Sequence, residues 1–225
     1  GDHETFDNCG SIAEHQQPAW QSVWRGARAS YCDYQASRVL DNAIERDHFG
    51  YPVDYGTIAA YVVDLRSNRR ANGGGLMSEA QFSDLEHFLK TNAHKQALFL
   101  ILSVPAVHIP RWLARLASRV IRGNEDFSDR WSAPGHLRDR DRLLRLLHSH
   151  QQQHPAQPLI MLSGDIHIGC AHLVSWNDDT PPMYQFISSA ISHNCSRWES
   201  WAAKLSIPMN QKVALEEGDL SASIT

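Results

Sequence analysis

Three short apolar runs, each stopping abruptly in polar residues, constrain the fold of this chain more than any other feature. They are Thr57-Ile-Ala-Ala-Tyr-Val-Val-Asp64, Ala97-Leu-Phe-Leu-Ile-Leu-Ser103 and Leu159-Ile-Met-Leu-Ser163. Each has the length of a buried strand. Helical patterns stand between them. Ser78-Glu-Ala-Gln81 fits a capping box and opens an amphipathic helix to about Thr91, with Phe82, Leu85, Phe88 and Leu89 on its apolar side. Residues 109–122 read as a second helix, and Arg138 to Gln153, with Leu143, Leu144, Leu146 and Leu147 on one side, as a third. Strands alternating with helices imply right-handed crossovers and a largely parallel order. The three strands are therefore expected as neighbours in one sheet. Asp64, Ser103 and Asp165 would then share the rim at the carboxyl ends, where α/β folds place their ligand sites.

The third run carries the densest chemistry. Leu159 to Ser163 leads into Gly164-Asp-Ile-His167, and side chains at i and i+2 leave an extended segment on the same side. Asp165 and His167 can thus converge while Ile166 faces the core, and a carboxylate beside an imidazole is a metal-ligand pair. Gly164 allows the sharp exit and Gly169 close packing behind it. The second run ends in Asp64-Leu-Arg66-Ser-Asn-Arg69-Arg70. Arg66, directly after the strand, suits a phosphate clamp; Arg69 and Arg70 suit that role or a solvated loop equally.

Elsewhere the pattern speaks for packing. Pro18 to about Asp47 reads as one long helix carrying Trp20, Val23, Trp24, Ala27, Tyr31 and Tyr34, and residues 42–55 as a loop. Residues 71–75 are a glycine-rich turn without the Lys-Ser/Thr of a phosphate cradle. His148, His150 and His154 look like a solvated helix end. Ala171 to Trp176 and Met183 to Ser188 have hairpin spacing, so the sheet becomes mixed at that end. His193 reads as a loop residue, and residues 209–225 have weak periodicity and read as a truncated strand or a tail.

Composition closes off several function classes. The 225 residues carry a net charge of -4, which argues against a broad nucleic-acid surface. Cys9, Cys32, Cys170 and Cys195 lie far apart without a Cys-x-x-Cys pair, so neither a zinc knuckle nor a disulfide framework is indicated. No apolar run has the length of a membrane span. The chain opens on the polar cluster Gly1-Asp-His-Glu4, followed by Asp7 and Asn8, which suggests that a segment precedes it.

Taken in order, Gly1-Asp2-His3-Glu4, Asp64-Leu-Arg66-x-x-Arg69, Ser103-Val-Pro105, Asp129-Arg-Trp131 with Arg138, and Leu162-Ser-Gly-Asp-Ile-His167 resemble the motif series of alkaline phosphatase D-like metallophosphatases, in the calcineurin-like metallophosphoesterase superfamily. The resemblance spans residues 1 to about 195 and implies an α/β fold, an αββα sandwich of two mixed sheets flanked by helices. This chain would supply the larger, C-terminal part of one such domain over residues 1–225. The superfamily's Asp-x-His and Gly-Asp-x-x-Asp/Tyr motifs would lie upstream of Gly1. By the same resemblance Asp2, Asp165 and His167 are metal ligands, His3 assists the leaving oxygen, Glu4 orients His3, and Arg66 with Arg69 binds the substrate phosphate. The implied activity is hydrolysis of a small-molecule phosphate ester, monoester or diester, with two metal ions. Ser103-Val-Pro105 stands where many relatives place a histidine, so the ligand set favours harder ions such as manganese, iron or calcium. The competing implication is an interaction module that keeps the sandwich and has lost its metals.

Overall fold

The computed structural model describes residues 15, 17–69, 75–108, 131, 133–166, 169–188, 211–215 and 220–225. They form one eight-stranded mixed sheet: β1 (Tyr51–Tyr55), β2 (Ile58–Val62), β3 (Ala97–Ile101), β4 (Leu159–Ser163), β5 (Cys170–Trp176), β6 (Met183–Ile187), β7 (Gln211–Ala214) and β8 (Ser221–Ile224). The spatial order is β1-β2-β3-β4-β6-β5-β8-β7. β2, β3, β4 and β6 run parallel, while β1 and β5 pair antiparallel with β2 and β6. The helices are α1 (Pro18–Tyr34), α2 (Glu79–Thr91) and α3 (Leu137–Gln153).

The expected parallel core is present, with the three strands adjacent and their polar ends on one rim. Alternation along the strands defines two faces. Register aligns Tyr61, Leu100, Met161, Gln185 and His172 in one buried row. The next row down aligns Ala59, Leu98, Leu159, Met183 and Val174. Against this face pack Phe82, Leu85, Phe88 and Leu89 of α2 and Leu143, Leu144 and Leu147 of α3, all in one continuous core. Truncating one of the fully enclosed leucines of α3 costs on the order of 2–5 kcal/mol.

The opposite face presents Val53, Ile101, Tyr184 and Phe186, each 36–45% exposed... the last two rings stacked on each other.

 The described residues thus supply one sheet with α2 and α3 on one face, where the αββα expectation has two sheets.

Three sequence expectations change. The long helix ends at Tyr34 rather than near Asp47, because Ser37 Oγ and Arg38 Nε donate to the carbonyls of Asp33 and Tyr34 and close off the last turn. Two 3-10 turns follow, and Asn42 takes a left-handed φ of 49°. Residues 51–55, expected as loop, form the edge strand β1, where Pro52 is tolerated because an edge leaves one side of the backbone unpaired. His150 is not solvated: it is buried, with Nε2 2.7 Å from Gln157 Oε1, and burial pushes its pKa down. The weakly periodic C-terminal stretch supplies β7 and β8. Residues 109–122 and His193 lie outside the described residues.

Candidate functional site

Asp64 organises the end of β2. Its carboxylate accepts from the backbone N–H groups of Phe49 (2.9 Å), Arg66 (2.9 Å) and Ser67 (3.1 Å), which curls the chain just past the strand. The backbone of Asp64 is gripped in turn by the Gln81 carboxamide. Gln81 Oε1 accepts from Asp64 N–H at 2.7 Å, and Gln81 Nε2 donates to the Asp64 carbonyl at 2.8 Å. Ser78 does cap α2, its hydroxyl accepting from Gln81 N–H at 3.2 Å, but the Gln81 side chain serves the rim instead of completing the box. Gly50 is required beside it, since a Cβ there would meet Gln81 Oε1 at 2.5 Å and the Tyr61 hydroxyl at 2.9 Å.

This scaffold directs Arg66 across the rim to Asp165, with Nη2 3.9 Å from Oδ1. The arginine side chain is 10% exposed and the aspartate 39%, so a shielded cation faces a carboxylate open to solvent. At that separation they form an ion pair longer than a hydrogen bond. Asp165 is the centre of a three-residue turn in which Ile166 N–H donates to the Gly164 carbonyl at 3.0 Å, and its φ is 74°. That γ-turn is the rarer, strained form, and such strain concentrates at functional sites. Gly164 is pressed against the next strand: a Cβ there would lie 3.2 Å from the Ser188 carbonyl.

Two hydroxyls line the strand ends. Ser103 Oγ beyond β3 and Ser163 Oγ at the end of β4 are buried without a hydrogen-bond partner among the described residues. Buried hydroxyls without partners are uncommon and point to a ligand or water. Ser103, Asp64, Arg66 and Ser67 also border a cavity of about 250 Å³ whose other walls include Trp24, Arg28, Tyr31 and Phe49. The Arg28 guanidinium lies over the Phe49 ring at 4.6 Å, so α1 contributes a cationic and aromatic wall as well as packing.

Of the residues singled out from sequence, the structure brings Arg66 and Asp165 together and buries Arg69, which removes its solvated-loop reading. Asp2, His3, Glu4 and His167 lie outside the described residues. Asp165 fits a hard cation by the chemistry of its oxygens.

One cluster was missed. His108, Cys170 and His172 place one ligand atom each within 4.8 Å of one another. The available signal was Cys170-x-His172 at strand spacing. Among the described residues no helix is long and apolar enough to cross a membrane.

No protein-family model and no curated protein matches the sequence. A solved structure described as the structure of PhoD is similar to this chain with a TM-score of 0.57 at 18% identity, over 85% of this chain and 39% of that one. The chain therefore spans well under half the length of that protein, and at this identity the likeness is one of fold alone, a PhoD-like mixed α/β fold.

Proposed function

We propose that the chain belongs to a metal-dependent phosphoric ester hydrolase acting on a small-molecule ester at the rim of β2, β3 and β4. The observation that carries this reading is the meeting of Arg66 and Asp165, from the ends of two different strands, at 3.9 Å. Arg66 binds and orients the phosphate, its guanidinium held by the backbone that Asp64 fixes. Arg69 adds positive charge behind it. Asp165 and His167, with Asp2, would hold two metal ions, of manganese, iron or calcium type. When bound, such ions supply a Lewis acid and a water of lowered pKa. His3 donates a proton to the leaving oxygen, and Glu4 holds the His3 ring. The solved PhoD fold supports a phosphoesterase-type scaffold.

The test is hydrolysis of p-nitrophenyl phosphate and its bis-ester by the full-length protein with and without added metal. Metal-dependent turnover that falls roughly 100-fold or more in Arg66→Ala and in Asp165→Asn is expected. His3→Ala should lower turnover while metal is retained. Absence of both turnover and bound metal would favour the interaction module instead.

A further inference from the structure

The cluster of His108, Cys170 and His172 is built by a clamp. β5 alternates, so Cys170 and His172 project on one side, toward the helical layer that buries Val174 and Trp176. His172 is paired in register with Gln185 of β6. The Gln185 carboxamide accepts from Val107 N–H at 3.2 Å and donates to the Val107 carbonyl, which fastens the segment after β3 onto the sheet. The next residue, His108, is thereby laid against His172, with Nδ1 3.3 Å from Nε2. Cys170 Sγ lies 3.5 Å from the same Nε2. Both histidines are buried, and Cys170 is a free thiol.

Hydrogen bonding alone accounts poorly for this arrangement. A neutral imidazole nitrogen has either one proton or one lone pair to offer, yet His172 Nε2 faces two groups. A cation satisfies all three donors at once. In a tetrahedral site with nitrogen at about 2.0–2.1 Å and sulfur at about 2.3 Å, ligand atoms are separated by about 3.4 Å for two nitrogens and about 3.6 Å for nitrogen and sulfur. Two of the three separations, 3.3 and 3.5 Å, match that spacing, and the third, between His108 and Cys170, lies within 4.8 Å.

We propose that His108 Nδ1, Cys170 Sγ and His172 Nε2 form a binding site for a borderline-soft divalent ion of the zinc type, with a fourth position open to water or another ligand. The donor set selects it, since a thiolate with two imidazoles suits zinc and cobalt(II) and not calcium or magnesium. None of the three residues belongs to the phosphate-binding rim. Burial keeps the histidine neutral and the thiol protonated without the ion, shifting His172 down and Cys170 up. Binding therefore releases the Cys170 proton to solvent as the sulfur–metal bond forms. The ion would tie the segment after β3 to β5.

Cobalt(II) titration of the 225-residue chain tests the proposal. One equivalent should bind with a thiolate-to-cobalt charge-transfer band and the visible absorption of a tetrahedral ion. Cys170→Ser should abolish the charge-transfer band, His172→Ala should weaken at least tenfold the cobalt binding that this band reports, and Asp165→Asn should change neither the band nor the binding it reports. In the unsubstituted chain, zinc should protect Cys170 from iodoacetamide as located by peptide mass mapping, a readout that does not depend on any variant folding. A charge-transfer band that survives Cys170→Ser, or the absence of both band and protection in the unsubstituted chain, overturns the site.

Discussion

The rim pair of Arg66 and Asp165 and the cluster of His108, Cys170 and His172 occupy the same sheet, yet they have opposite electrostatic characters. The rim pair sets a guanidinium beside a carboxylate that remains 39% exposed to water. In the cluster both histidines are buried and Cys170 is half-buried, and burial moves Cys170 and His172 toward their neutral forms. Burial thus sorts the chemistry. Oxygen and guanidinium groups at the open edge suit an anionic substrate and hard ions, whereas nitrogen and sulfur beneath it suit a softer ion.

Substitutions in the two supports should separate these regions. The largest effect is expected from Asp64→Ala, which removes the acceptor of three backbone N–H groups and should cost about 3–5 kcal/mol in chemical denaturation. It should also abolish phosphate-ester turnover, while cobalt binding at the cluster persists in the folded fraction. Gln185→Leu is the mirror case. It strands Val107 N–H and C=O, should cost about 2–4 kcal/mol, and should remove the charge-transfer band while leaving the rim arginine in place. If either substitution affected both regions equally, the separation would fail.

Gly50→Ala should be milder. The added methyl displaces the Gln81 carboxamide from Asp64, with an expected loss of about 1–3 kcal/mol and a selective fall in turnover. The smallest effect concerns pH. His150 has its pKa lowered in the folded chain, mainly by burial, so the unfolded state binds its proton more readily. Its stabilising contribution is therefore complete above the unfolded value near ~6.5 and declines below it, by at most ~1.4 kcal/mol per pH unit. Urea denaturation at descending pH should show this slope, and His150→Gln should reduce it.

The parallel core was legible because each strand is an apolar run with a polar stop, and Leu159–Ser163 stands in the structure with the bounds read from sequence. α2 was equally clear from Ser78 and its buried stripe. β1 was hidden because an exposed edge strand has no apolar pattern to show. At the rim, Arg66 and Asp165 could be picked out from their places after strands. The parts played by Asp64 and Gln81 could not, because both act on backbone groups brought near only by the fold. The cluster was half visible. Cys170 and His172 share a strand face, but His108 reaches them through the grip of Gln185 on Val107, a contact between residues far apart in the chain.

The most direct test of two chemically distinct sites is one paired measurement on the full-length protein: bound zinc together with manganese-dependent p-nitrophenyl phosphate turnover, in Asp165→Asn and in Cys170→Ser. The account predicts that Asp165→Asn loses turnover and keeps zinc, and that Cys170→Ser loses zinc and keeps turnover. Loss of both properties in both folded variants, or unchanged turnover in Asp165→Asn, would contradict it.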